Sequence, residues 1–133
     1  MTVEEALYAR LSHGDSQTWA QVASRIYPGH VPDTAVLPCI MYERGKEGQQ
    51  TRENIDGTVD HIRAPYRIHC YAAQEDYARA QAAADAVVAD LRNYRAALAG
   101  LTLHAVWHNK TFSDYDGVNK RQRVTVEVEV WYT

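Results

Sequence analysis

The alternation of apolar and polar residues is strictest near the end of the chain. Valines occupy every second position from 124 to 130, which predicts a strand with one buried face. Residues 101–108 alternate in the same way and are followed by the polar segment 109–120, so we expect a terminal hairpin. Two further strands are predicted at residues 37–44 and 62–72, which are rich in apolar and aromatic residues.

Apolar residues at helical spacing mark three other segments. Residues 2–12 begin with Thr2 and two glutamates, an acidic first turn that suits the helix dipole. A shorter helix is predicted at residues 16–26. The strongest helical pattern spans residues 74–99, where an alanine-rich stripe would allow close packing on a sheet. Gly100 is suited to follow the end of that helix.

The resulting order of elements is α-α-β-β-α-β-β. It predicts an α+β fold, with a mostly antiparallel four-stranded sheet, a long helix packed on one face and short N-terminal helices. At 133 residues the chain is expected to form a single domain, residues 1–133. The polar segment 45–61 shows no periodicity and is predicted to be a long loop or an extended hairpin. Compact domains seldom keep such loops without a use.

Three of the four prolines lie between residues 25 and 43. Tyr27-Pro28-Gly29 is expected to end the second helix, and Leu37-Pro38 is expected to open the first strand. The stretch is therefore interpreted as a stiff connector that sets the geometry of the domain and carries no chemistry of its own.

Composition excludes several classes of function. The net charge of −3 argues against a strongly basic protein that binds nucleic acid through many phosphate contacts. No run approaches the roughly 18 apolar residues that cross a bilayer, and the start lacks the features of a signal peptide, so no membrane partner is expected. Cys39 and Cys70 are expected to be reduced core thiols, with a disulfide possible only if their strands are adjacent.

No motif points to catalysis, a cofactor or a metal. His69 and Cys70 are neighbours on a predicted strand and point to opposite faces. His104 and His108 would lie about 13 Å apart on a strand, too far for one ion. Residues 113–119 lack the ligand spacing of a calcium loop and are expected to form a turn. We therefore expect a protein without enzymatic activity, cofactor or metal.

Several pieces of the chain resemble, in order, the tail-completion or tail-terminator proteins of long-tailed bacteriophages and gene transfer agents. Together they cover nearly the whole chain, and RIYP followed by LP-x-I-x-Y is the most specific combination. The matching pieces are EEALYARL, SRIYPG, LPCIMYE, YRIHCYA, QEDYARAQAAADAVVADL and RVTVEVEVWYT.

The resemblance implies a structural virion protein at the head-proximal end of the tail, assembled in the cytoplasm of the bacterial host. There the family forms a ring, expected to be a hexamer, that ends polymerisation of the tail tube and offers a surface for joining the head. The implied partners are further copies of the chain, the major tail-tube protein and a head-completion or connector protein. DNA would pass through the lumen without sequence-specific binding.

A ring requires heterologous contacts between two different patches of each subunit. Our first candidate patch is the polar segment, as a subunit interface or lumen loop, through Lys46, Glu47, Arg52, Glu53 and Asp56. The second is the exposed sheet face opposite the helix, which mixes aromatic residues with both signs of charge. Its candidate residues for partner contacts are Arg67, His69, Tyr71, Arg123, Glu127, Glu129 and Trp131.

An alternative from another class stays open. The same pattern fits a stand-alone ferredoxin-like domain that binds a small molecule, or an enzyme subunit whose site forms on dimerisation. That alternative predicts an apolar pocket with a few convergent polar groups.

Overall fold

The computed structural model describes all residues from 1 to 133. Three helices and seven strands follow one another along the chain. They are α1 (Val3–Leu11), α2 (Gln17–Val22), β1 (Ile26–Pro28), β2 (Cys39–Arg44), β3 (Gln50–Glu53), β4 (Val59–Ala73), α3 (Tyr77–Leu91), β5 (Ala96–Leu98), β6 (Leu101–Asp116) and β7 (Arg121–Tyr132).

All seven strands belong to one mixed sheet that curls into a half-barrel. The strand order is β1-β2-β4-β7-β6-β5, and β3 lies beside β4 on the same side as β2. β1 pairs with β2 in parallel, and every other pairing is antiparallel. The predicted four-stranded, mostly antiparallel sheet with a long helix is therefore wrong. β1 and β5, which no pattern predicted, have three residues each, and β3, within the segment expected to be a loop or an extended hairpin, has four. Such strands are too short for an alternating pattern to stand out.

The alanine-rich helix is shorter than its sequence pattern suggests. α3 stops at Leu91, and Asn93 then takes a left-handed conformation with φ of 59°, which asparagine tolerates better than most residues. Residues 96–98 turn through Gly100 and pair with residues 101–103 as a small hairpin. Alanine propensity is a weak preference, and here the pairing with β6 overrides it.

The second helix also ends earlier than predicted. α2 stops at Val22, and Ile26–Pro28 forms a strand along β2. The stiff connector is therefore confined to residues 29–38. It lies over one face of the sheet, where Val31 packs with Cys39 and Tyr71.

The core lies between the helices and the other face of the sheet. The four valines from 124 to 130 are each at most 1% exposed, which confirms the predicted buried face of β7. α3 packs across β4, β7 and β6, while α2 and α1 pack against α3. Leu7, Tyr66 and Ile68 are among the largest fully buried side chains.

The alternation along β6 breaks where sequence pattern predicts continuity. Register shifts lie between Leu103 and Ala105 and between His108 and Lys110. Each shift exchanges the faces of the residues that follow, so Val106 is buried and Trp107 is 57% exposed. β6 also runs on to Asp116, which reduces the predicted turn region 109–120 to residues 117–120.

The two cysteines lie on adjacent strands and yet face away from each other. Cys39 is paired with Tyr71, and Cys70 is paired with Ile40. Since paired residues share a face and neighbours along a strand do not, the two thiols lie on opposite faces of the sheet. Both are buried and free.

Candidate functional site

The sheet face opposite α3, here called the polar face, carries a connected set of ion pairs. At its centre, Arg67 Nε donates to Glu127 Oε1 at 2.9 Å and Arg67 Nη2 donates to Glu47 Oε1 at 2.8 Å. Lys110 Nζ lies 3.7 Å from Glu127 Oε2. Arg67 and Glu127 are direct neighbours across β4 and β7, a position where opposite charges stabilise a sheet.

Two predicted members of this face are buried. His69 is 8% exposed and Tyr71 is 4% exposed, so neither belongs to an exposed sheet face as expected. The His69 ring nitrogens lie 2.8 Å from Thr125 Oγ1 and 2.9 Å from Glu43 Oε1. Tyr71 packs under the connector. Residues 29–38 were expected to be a connector only, so no sequence pattern placed Val31 against Cys39 and Tyr71.

The polar face continues onto the hairpin of β6 and β7, here called the terminal hairpin. Arg123 forms an ion pair with Asp114, and Arg121 Nε lies 3.2 Å from Asp116 Oδ2. The Arg121 guanidinium also lies 4.1 Å from the Tyr71 ring centroid, a cation–π distance. Arg121 and Arg123 are therefore neutralised by carboxylates of the same subunit.

An aromatic cluster occupies the other end of the polar face. The Trp131 ring is stacked on His61 with 4.8 Å between ring centroids, and the Arg63 guanidinium lies 5.3 Å from its centroid. Trp131 Nε1 donates to Glu129 Oε1 at 2.6 Å. Trp107 lies 6.0 Å from Trp131. The sequence patterns did not single out His61, Arg63 or Trp107, although positions 61 and 63 continue the alternation of positions 67 to 71.

The predicted polar segment is an extended hairpin of β3 and β4, here called the long hairpin. Its residues from 51 to 60 are all exposed. β4 pairs with β7 only from Ile62 onward, so the tip of the hairpin projects about 20 Å beyond the end of β7 at about 3.3 Å per residue. Of the five predicted contact residues, only Glu47 folds back to an ion pair, with Arg67. The others, all exposed, are Lys46, Arg52, Glu53 and Asp56.

The tip of the long hairpin is ordered by its own side chains. Asp56 Oδ1 accepts hydrogen bonds from Thr58 N at 3.0 Å and Thr58 Oγ1 at 2.6 Å. These bonds lower the pKa of Asp56. Gly57 supplies the left-handed conformation that the turn requires, with φ of 87°. This tip presents Ile55, whose side chain is fully exposed.

An apolar depression lies on the helical side of the sheet and is here called the β1 pocket. Its volume is about 410 Å³, and its lining residues are Glu4, Glu5, Tyr8, Ile26, Pro28 and Tyr42. Glu4 Oε1 accepts hydrogen bonds from Tyr66 Oη and Arg44 Nη2, each at 2.9 Å. Burial raises the pKa of Glu4, but hydrogen bonds from its own amide, Tyr66 and Arg44 outweigh it and leave the pKa below its ordinary value.

Replacing Glu4→Gln is expected to lower the unfolding free energy by about 1 kcal/mol at neutral pH, because a charge-assisted bond to the buried Tyr66 is weakened. The folded-state pKa of Glu4 is lowered, so its contribution is complete above the unfolded-state pKa and is lost as the pH falls through the folded value. Urea unfolding should therefore show a smaller difference at about pH 3 than at about pH 7. Glu75→Gln, an exposed carboxylate, is the matched control; an equal loss at both pH values would contradict the assignment.

No group of three or more His, Cys, Asp or Glu side chains is arranged to hold a metal ion. None of the three helices is long and apolar enough to span a membrane. A polar cleft of about 260 Å³ beside Arg67 has the ion-paired residues Glu47, Arg67 and Glu127 among its eleven lining residues.

Comparison with known proteins shows which family and which solved structure the chain is similar to. A family model described as Tail completion protein gp17 matches residues 5–133, which confirms the resemblance drawn from the sequence pieces. The chain is also similar to one in a solved structure described as "Virion of native gene transfer agent (GTA) particle". That similarity has a TM-score of 0.77 and 20% identity, over 98% of this chain and 93% of the other, and shows the fold. No curated protein matches the chain.

Proposed function

Because the chain belongs to the tail completion protein family, we propose that it forms a closed ring of six subunits that ends growth of the tail tube. As a member of this family, the chain is a structural component of the virion tail and assembles with other virion proteins. The ring would lie at the head-proximal end of the tail, contact the major tail-tube protein and a head-side connector, and act without enzymatic activity.

The observation that carries the proposal is the pair of unlike open edges of the sheet. On one side, the edge of β6 that faces away from β7 has no strand neighbour along residues 104–116, since β5 pairs only with residues 101–103. On the other side, the outer edge of β3 is equally free. Open strands are templates for pairing with another chain. Two different edges on opposite sides of a subunit suit a head-to-tail contact, which closes into a ring when the rotation allows.

The charge distribution supports a lumen that DNA crosses without being held. The net charge is −3, and three of the arginines on the polar face, Arg67, Arg121 and Arg123, are paired with carboxylates. Phosphate binding grows with the number of cations free to displace counterions. Paired arginines supply few such contacts, so DNA would pass without strong retention.

Electron microscopy of particles assembled without this protein tests the proposal. We expect tails of uncontrolled length that are not joined to heads, and restoration of both properties when the gene is supplied in trans. Averaging of complete particles should show a six-fold ring at the head-proximal end of the tail. Tails of normal length joined to heads in the absence of the protein would overturn the proposal.

A further inference from the structure

Like the long hairpin with Ile55, the terminal hairpin presents an exposed apolar side chain at its tip. One carboxylate orders the backbone of this tip. Val118 is 91% exposed. Asp116 Oδ1 accepts hydrogen bonds from the backbone amides of Val118 and Asn119, each at 3.2 Å, and Asp116 Oδ2 accepts from Asn119 Nδ2 at 3.0 Å. Hydrogen bonding by Asn119 lowers the pKa of Asp116. The tip at residues 117–120 is thus ordered before any partner binds, which lowers the entropic cost of docking.

The tip carries one unpaired positive charge, because its other charged side chains form ion pairs with each other. Asp116 pairs with Arg121 and Asp114 pairs with Arg123. Lys120, which is exposed, has no ion-pair partner among the salt bridges of the chain. The tip therefore offers one aliphatic side chain beside one free cation.

The β1 pocket has the complementary character. Its apolar lining comes from Tyr8, Ile26, Pro28 and Tyr42. The charge of Glu4 is shared with Arg44, whereas Glu5 at the rim is exposed and bonded only within the capping box of α1. An aliphatic side chain with an adjacent cation fits an apolar pocket with an acidic rim.

The positions of tip and pocket suit a contact between copies. β1 and β2 form one side of the sheet, and β6 and β7 lie toward the other side. Two complementary patches on opposite sides of one chain produce a heterologous contact. The tip of the long hairpin fits less well, because Glu53, Asp56 and Asp60 surround Ile55 and would face the acidic rim.

We propose that the terminal-hairpin tip of one subunit docks into the β1 pocket of the next, a contact that rests on the ring proposed above. Val118 enters the pocket between Tyr8 and Pro28, and the Lys120 ammonium approaches the Glu5 carboxylate. The contact binds each subunit to its neighbour at a point separate from the open strand edges.

Cysteine crosslinking in assembled particles tests this contact. The variant carries Tyr8→Cys and Val118→Cys, both exposed positions, and the native cysteines are buried. Treatment with a short bismaleimide should give a ladder of covalent multimers of this chain on denaturing gels. We expect at least about tenfold more product than from Tyr8→Cys with Val36→Cys, a control pair whose second position is also exposed, because docking raises the local concentration of the paired thiols.

The possible results distinguish failure of the docking contact from failure of the proposed ring. A ladder from the Tyr8–Val118 pair alone supports the docking. Absence of that ladder, in particles whose ring is visible by electron microscopy, overturns the docking and leaves the ring standing. Crosslinks that join Val118→Cys to a different virion protein also overturn it, while particles without any ring would overturn the proposed function.

Discussion

Replacing Asp90→Ala is expected to lower the unfolding free energy by about 3 kcal/mol, the largest stability effect of any polar substitution in this chain. Asp90 is a buried carboxylate near the end of α3. It accepts hydrogen bonds from Gln17 N at 3.1 Å, Thr18 N at 2.7 Å and Thr18 Oγ1 at 2.6 Å. Two amides at the start of α2 and one buried hydroxyl would lose their acceptor together, and chemical denaturation measures the loss.

Asp85→Ala is the matched control on the same helix. Asp85 is exposed and accepts only from Gln81, so its removal should cost less than about 0.5 kcal/mol. A second variant, Thr18→Val, removes the buried hydroxyl and leaves the amides bonded. Combined with Asp90→Ala, it should show a coupling energy of about 1 kcal/mol in a double-mutant cycle. A loss below about 1 kcal/mol for Asp90→Ala would mean that water replaces the carboxylate.

This contact explains why so short a helix is stable where it lies. α2 has six residues, well below the length at which an isolated helix holds in water. The Ser16 side chain caps one amide, and Asp90 accepts from two more. α2 in turn leads through β1 into the β1 pocket. Asp90 of α3 therefore stabilises the β1 pocket, the surface to which we assign a subunit contact.

The sequence predicted the fold correctly where side-chain periodicity alone decides which residues are buried. In β7, the four valines from 124 to 130 all lie in the hydrophobic core, where the strand packs against α3, so the period of two is unbroken. In β6 the same rule fails, because two register shifts change which residues face the core. The end of α3 fails for another reason, since pairing of residues 96–98 with β6 outweighs alanine propensity.

The candidate surfaces were less predictable than the strands because they depend on contacts between distant residues. Alternation correctly grouped Arg67 with Glu127, but it carried no sign that His69 and Tyr71 are buried or that the connector packs on Tyr71. Asp90 has the pattern of an ordinary exposed helix residue, and only its distance from Thr18 shows its role. Such contacts span about 70 residues along the chain, beyond the reach of local periodicity.

Exchanging the charges of the long hairpin, Arg52→Glu with Glu53→Arg, is expected to reduce the yield of complete particles at least about tenfold. Both side chains are exposed, and neither forms an ion pair within the chain. The exchange keeps the net charge of the chain and should change its unfolding free energy by less than about 0.5 kcal/mol. A partner surface complementary to the native charges would instead meet like charges. Particle yield and thermal unfolding are measured on the same variant.

The matched control exchanges charges at a distance from both hairpins, with Asp15→Arg and Arg95→Glu. These residues are exposed and unpaired like Arg52 and Glu53, so the control preserves net charge and stability in the same way. Normal yield from the control with loss from the hairpin variant would assign the long hairpin to an assembly contact. Normal yield from both would remove it from the interface, because an exposed charge at a subunit contact cannot be inverted without changing association.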